Sequence, residues 1–354
     1  MPPGAPTLGE MRRATADRIA PFEAGRSGVP PLGAPDTRVG TAKGANRRRV
    51  VSADLAGLDA IGSAPEIPGD AYKSEWLYVI TDPPEQRRIP EGGFLGAAAP
   101  EELLEGYTLA SVPADEVVAG IDLERPLSAV VPAGTAFEIH AVPPLRAGRS
   151  LGYHEAIRRA CTVILREDTL TITGVPGKTT LDVTATFPWL SNVGLFLSAH
   201  QVQATEGVET WAIPGATLRF DGEKVLLTAS SWSSGSFPVR VLRPIGTWVK
   251  PAGSAEWGES LTGPMDEGDQ VLGDAEAVGV VAAFHVAEAE ALASVAGSAA
   301  QSYWQQRAAA LSVRSPFLRD QRSRRATGAA ATWPDNVSVD GPFSGKWPPG
   351  GYWR

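Results

Sequence analysis

The chain carries a single cysteine, Cys161, among 354 residues. An intrachain disulfide is therefore excluded, as is a zinc site built on several thiolates. Histidine is also scarce. The four present, His140, His154, His200 and His285, are scattered without the close pairing or the dense carboxylates that a metal centre needs. No run of about 18 apolar residues occurs, so no segment reads as a bilayer-spanning helix. The first ten residues are rich in proline and glycine and lack an apolar core, which argues against a secretory signal. What the sequence has in plenty is punctuation: 38 glycines and 30 prolines mark many turns and extended stretches. A hydrophobic content of 43% nevertheless suits a globular protein. The length allows one large domain or two, with a sizeable core.

Charge is unevenly distributed. Residues 1–50 carry nine basic and four acidic side chains, and residues 314–354 carry seven and three. The formal net charge is -8, so the middle of the chain, 51–313, holds -17 against +5 and +4 at the ends. An acidic body with two basic ends favours arms laid on a neighbouring copy or on another acidic surface. Solvated tails and nucleic-acid binding are the alternatives. The basic groups lack the interleaved aromatics of a single-strand binder.

The pattern divides the chain into an extended arm (1–70), a β-rich body (71–272), a long helix (273–313) and a second extended arm (314–354). Within the first arm, Leu8, Met11 and Ile19 fall near one face of a short helix, with Thr15 breaking the stripe. Strand-like segments follow at 76–80, 117–123, 137–140, 170–175, 181–187, 193–202, 209–213, 217–220, 225–228 and 237–242. Asp221-Gly222 predicts a hairpin, and Pro238 predicts an edge or a strand start. Spacings of about ten residues suggest an antiparallel domain. Tyr153 to Leu165 reads as a helix whose Ala156, Ile157, Ala160, Cys161 and Ile164 form a core-facing stripe. Asp274 to about Ser312 is alanine-dense and, unbroken, would reach about 55–60 Å. Gly279 and Gly297 are its weak points. Val278, Val281, Phe284 and Leu292 supply its main apolar face, and its small side chains suit tight packing with neighbouring helices, those of other subunits among them. The fold class is α+β: an antiparallel β-rich body with a short core helix and a long Ala-rich C-terminal helix, flanked by extended Pro/Gly-rich arms.

Catalytic motifs mostly fail. Gly174 to Thr179 lacks the first glycine of a phosphate loop, since position 172 is isoleucine, and it lies between strands. Gly148-Arg149-Ser150-Leu151-Gly152 matches a nucleophile elbow, but the α/β alternation of that fold is missing and no suitable later histidine follows. A helix N-cap is the simpler role for Ser150. Asn336-Val337-Ser338 is a glycosylation sequon, of no consequence without secretion. The tryptophans are dispersed, and those in or beside strands suit core packing. Trp333, Phe343, Trp347, Tyr352 and Trp353 instead string along the C-terminal arm like anchors for pockets on a partner.

The order of elements resembles the head-to-tail adaptor (connector) proteins of tailed bacteriophages. The resemblance rests on Phe137-Glu138-Ile139-His140 followed by Tyr153-His154-Glu155-Ala156-Ile157-Arg158-Arg159-Ala160. It extends to Leu218-Arg219-Phe220 and to a closing Ala-rich helix bearing Tyr303-Trp304, and so covers roughly 75–312. The arms depart from the family pattern. The resemblance implies a homo-oligomeric ring, usually of twelve copies, between the portal protein and a stopper or tail-terminator protein. Such a ring sits in the virion neck, is made in the host cytoplasm, and lets DNA pass without sequence-specific binding. It implies no chemistry, no cofactor and no membrane. The expected interface residues are Val278, Val281, Phe284, Leu292, Tyr303, Trp304, Trp333, Phe343, Trp347, Tyr352 and Trp353. The rival readings are another phage structural protein (tail tube, minor capsid or decoration) and, more distantly, a secreted carbohydrate-binding or hydrolytic protein.

Overall fold

A computed structural model describes residues 5–19, 38–42, 44–45, 47–56, 75–98, 118–185, 195–204, 208–212, 217–221, 224–229, 232, 235–260 and 262–318. The chain is an α+β protein whose sheets, among the described residues, are all antiparallel, and it divides into two compact units.

The first unit comprises Gly9–Ile157 and Ala282–Leu311. After helix α1 (Leu8–Ala16) come strands β1 (Arg38–Thr41), β2 (Gly44–Ala45) and β3 (Arg49–Ser52), then the short helix α2 (Ala53–Ala56). Strands β4 (Trp76–Val79), β5 (Glu85–Arg88), β6 (Phe94–Ala98), β7 (Val118–Asp122) and β8 (Ala136–His140) complete the unit's sheets. These form two four-stranded sheets, ordered β1-β8-β4-β5 and β2-β3-β7-β6. One apolar cluster draws on both: Leu77, Val79, Phe137 and Ile139 from the first, Val50 and Ile121 from the second. Strand side chains alternate between faces. Leu77 and Val79 therefore point into this cluster, while Tyr78, Glu138 and His140 point to the opposite face, where they are also fully buried.

The segment 1–70 is not simply an extended arm. Strand β1 pairs with β8 and β3 with β7, so both are integral to the sheets. Helix α1 buries Leu8, Met11 and Thr15, and Ile19 is buried just beyond its end. Thr15 is accommodated in this stripe because its hydroxyl donates to the Met11 carbonyl at 2.7 Å.

Helix α3 (Tyr153–Val163) begins in the first unit and ends in the second, which comprises Met1–Leu8, Arg158–Val281 and Ser312–Arg354. Its predicted stripe, Ala156, Ile157, Ala160, Cys161 and Ile164, is wholly buried. Gly152 precedes it at φ +78°, where a Cβ would lie 2.7 Å from the backbone of Leu145 and Arg146. Only glycine fits there. The strands of the second unit are β9 (Leu165–Gly174), β10 (Thr180–Asp182), β11 (Leu195–Ala204), β12 (Val208–Ala212), β13 (Thr217–Asp221) and β14 (Lys224–Thr228). They continue with β15 (Gly235–Pro244), β16 (Trp248–Lys250), β17 (Gly258–Glu259) and β18 (Gln270–Val271). The sheets are β12-β11-β15-β9, β10-β14-β13 and β17-β16-β18. Strands β13 and β14 form the hairpin anticipated from Asp221-Gly222, with Asp221 opposite Lys224. Strand β15 is internal, not an edge. Pro238 is tolerated because pairing with β11 begins only at Val239, which leaves the proline a neighbour on one side alone. The N-terminal residues join this unit: the Val271 amide donates to the Pro6 carbonyl at 3.2 Å and the Leu8 amide to the Asp269 carbonyl at 2.9 Å.

The single long helix expected over 273–313 is two helices, α4 (Ala275–Ala293) and α5 (Ala299–Arg314). Gly279 is carried inside α4, but Gly297 turns the chain at φ +75°. Ser298 accepts the Gln301 amide at 3.1 Å, and the Gln301 side chain accepts the Gly297 amide at 2.7 Å. This closely follows the Ser-x-x-Gln capping box that starts a new helix. Beyond α5, Ser315, Phe317 and Leu318 are buried, so the second arm can start no earlier than residue 319.

Candidate functional site

The strand–helix string that carries the resemblance becomes a sealed polar cluster in the first unit. Glu138 and His140 come from β8, Tyr78 from β4, Tyr153 and His154 from the start of α3, and Arg12 from α1. Arg12, Tyr78, Glu138 and His140 are completely buried, and Tyr153 and His154 nearly so. Arg12 Nε donates to Glu138 Oε2 at 2.8 Å, and the half-exposed Arg13 donates to Oε1 at 2.8 Å. His140 Nε2 donates to Glu138 Oε2 at 2.8 Å. Arg12 Nη1 lies 3.0 Å from His154 Nε2. A guanidinium has only donors, so that histidine nitrogen is the acceptor and carries no proton. The Arg12 guanidinium also stacks 4.5 Å from the centre of the Tyr78 ring. Burial opposes ionisation of Glu138. The hydrogen bonds from His140 and Arg12, with the Arg12 charge, outweigh it and hold the carboxyl well below the usual range. Burial chiefly pushes His140 below its ordinary value, against the pull of Glu138. With its groups so deeply buried, the cluster offers little access to a substrate. It ties α1 to the sheet and to α3.

Other candidate residues are likewise structural. Ser150 does not cap α3. That helix begins three residues later, and its first amides are satisfied by the carbonyls of Pro143 and Pro144 at 3.2 and 3.0 Å. The Ser150 hydroxyl donates instead to Glu290 at 2.6 Å. Cys161 is fully buried, and burial pushes its thiol up to about 12. The Cβ that would be added at Gly246 lies 2.8 Å from the Cys161 Cβ. We therefore expect a disulfide-exchange reagent to leave the native protein unmodified and to label one thiol per chain only after denaturation, as read by intact mass.

Four of the expected interface residues are buried within the chain itself. Val278 and Val281 are 0% exposed, Phe284 6% and Trp304 7%. The apolar face of the helices is turned to the chain's own interior and offers little to a neighbour. Tyr303 is half-buried, edge-on to Trp304 at 5.2 Å. Leu292 is 84% exposed, and Val295, between the two helices, is 79% exposed. Trp333, Phe343, Trp347, Tyr352 and Trp353 lie outside the described residues.

A feature that sequence reasoning missed lies at one end of the first unit's sheets. Arg47, Arg48 and Arg49, counted with a basic arm, fold against the turn that follows β7. The Leu123 amide donates to the Arg48 carbonyl at 2.8 Å, and the Leu127 amide to the Arg47 carbonyl at 2.6 Å. Arg49 makes a two-point bond to Asp122 at 2.6 and 3.0 Å. The end of β5 joins them: the Glu124 amide donates to the Arg88 carbonyl at 3.0 Å, and Arg87 donates to Glu85 at 2.6 Å and to the Pro126 carbonyl at 3.0 Å. Six guanidinium groups (Arg47, Arg48, Arg49, Arg87, Arg88 and Arg125) thus gather beside three carboxylates, Glu85, Asp122 and Glu124. A groove opens here, lined by Trp76, Arg87, Arg88, Glu124, Arg125 and Pro126. Arg88 and Arg125 are exposed and have no carboxylate partner among the described residues. The signal was distributed over three distant segments, which no local window could join.

No family model, no curated protein and no solved structure matches this chain.

Proposed function

We propose that the chain is a non-catalytic structural subunit of a tailed-phage neck, a head-to-tail adaptor that forms a ring between portal and tail and continues the DNA channel. The observation that carries this reading is the pair β8–α3. It is the stretch on which the resemblance rests, and its polar residues are spent on bonds inside the protein, not presented to a substrate. A buried ionic clamp of this kind suits a part that must hold its shape under load. The net charge of -8 supports the same reading, since an acidic channel wall repels phosphates where a basic one would retain them. The finer architecture belongs to this proposal: a β-rich body, a helical region at 273–313, and an extended arm beyond residue 318 that reaches sister subunits, the portal protein or the stopper. The ring has about twelve copies, as the resemblance implies, and no membrane partner.

The test is the mass of the purified protein by native mass spectrometry, alone and mixed with candidate portal. The expected result is a closed multiple near twelve, formed alone or on the portal. A single chain at every concentration and in both mixtures would overturn the proposal.

A further inference from the structure

We infer that the arginine-lined groove of one copy receives the acidic segment 99–117 of a second copy. The inference rests on the assembly proposed above and names one of its copy-to-copy contacts.

Three observations lead to it. First, the groove is chemically specific. Arg88 and Arg125 point cationic groups to solvent beside the half-buried Trp76. Other acids nearby are engaged, Asp122 by Arg49 and Glu85 by Arg87, so the two exposed guanidiniums face the lone carboxylate Glu124. In a chain of net charge -8, six arginines gathered from three separate segments repel one another. An incoming anionic group relieves that repulsion, and an indole beside it accepts an apolar side chain. The fitting ligand is an extended peptide with carboxylates next to leucine or tyrosine.

Second, the chain contains a segment of this composition. Residues 99–117 include Glu101, Glu102, Glu105, Asp115 and Glu116 and no basic residue. Leu103, Leu104 and Tyr107 lie among these acids. The segment therefore has both the charge and the apolar groups that the groove selects.

Third, connectivity favours a neighbouring copy as the donor. The segment leaves the sheet after Ala98 and returns at Val118, residues paired across β6 and β7. The groove lies beyond Asp122, past the other end of β7. To fill its own groove the segment would have to spend about ten of its 19 residues running the five-residue length of β7 and back, which leaves about nine to lie in the groove. The occupants of a neighbour's groove need make no such detour. A duplex nucleic acid is a poorer match, because much of the cluster is already committed internally: Arg49 to Asp122, Arg87 to Glu85, and Arg47 to the Leu127 carbonyl at 2.8 Å.

The test is a mixing experiment with two full-length variants. One carries Arg88→Glu and Arg125→Glu, the other Glu101→Lys, Glu102→Lys and Glu105→Lys. All these side chains lie on the surface patch or outside the described residues, and circular dichroism checks that each variant is folded. Each variant alone sets like charge against like and should show copy-to-copy affinity at least tenfold below that of the unaltered chain, by analytical ultracentrifugation. Mixed one to one, they should associate, because the acidic segment of the first meets the intact groove of the second. If both variants assemble as the unaltered chain does, or if the mixture associates no better than either alone, the inference is overturned; assembly of both would still leave the ring itself standing. A synthetic 99–117 peptide and a single-stranded oligonucleotide of equal length provide the second measurement. The peptide should bind the unaltered chain and lose at least tenfold with the Arg88/Arg125 reversal. Groove-dependent binding of the oligonucleotide without the peptide would assign the groove to nucleic acid and overturn the inference.

Discussion

Glu138→Gln should lower stability by about 3–5 kcal/mol, the usual cost of removing one partner from a buried ion pair. The reason is the partner left behind. Arg12 is fully buried and cannot swing out to solvent, and its guanidinium cannot shed its charge. Glutamine keeps the shape and one acceptor oxygen but not the charge that balances Arg12. A chain of this length should lose about 5 °C in melting temperature. Arg13→Ala is the control. Its side chain is 47% exposed, so the same carboxylate loses only a screened contact worth about 0–1 kcal/mol. The double replacement Arg12→Met with Glu138→Leu should recover only part of the loss, because it leaves no unpaired charge but takes a hydrogen-bond partner from His140 and from His154. Denaturant melts of the four proteins decide the matter, and a Glu138→Gln melt like that of Arg13→Ala would refute the clamp.

The same cluster fixes the direction of the pH dependence. The folded protein binds a proton at Glu138 and at His140 less readily than the unfolded chain does. Both contributions are therefore complete at neutral pH and are lost on acidification. The His140 contribution starts to fall below its ordinary 6.5, the Glu138 contribution below its ordinary 4.5. Melting temperature should decline from about pH 6.5 downward and more steeply below about 4.5, and Glu138→Gln should flatten the lower part of that curve.

Removal of residues 319–354 should abolish ring formation while leaving the fold intact. The cut is placed after Leu318 because Ser315, Phe317 and Leu318 are buried and support the folded unit. A cut at 314 would strip two apolar side chains, each worth about 1.5–3 kcal/mol of burial, and confuse misfolding with failure to assemble. The removed stretch holds Trp333, Phe343, Trp347, Tyr352 and Trp353, with six basic residues against three acids. Aromatic anchors of this sort dominate interfaces, where single truncations cost about 2 kcal/mol or more. An unchanged melting transition with a single-chain mass is the expected pair of results. An intact ring after the deletion would place the assembly contacts elsewhere.

Much of the fold was legible where local patterning and tertiary burial agree. Ala156 to Ile164 read as a buried stripe because helix period and core face coincide. The β13–β14 hairpin followed from its turn residues. Strands β1, β2 and β3 were missed because short Arg-, Gly- and Thr-containing runs have little strand preference of their own; β7 and β8 impose it. Strand β9 was read short because Arg166, Glu167 and Asp168 look like a surface loop until their pairing with β15 is known. The division of the last helix was in fact written at Ser298 to Gln301, but alanine density masked that signature. For the site, Glu138, His140 and His154 stood in plain view. Arg12 did not, since nothing local tells a buried arginine from a solvated one.

The position of α1 has a consequence for synthesis. Its Arg12 finds Glu138 and His154 only after 126 and 142 further residues have been made, and Arg307 donates to the Arg18 carbonyl across 289. During synthesis Arg12 must therefore wait unpaired until Glu138 and His154 have been made, and the Arg18 carbonyl waits for Arg307 far later, since such distant pairings form late.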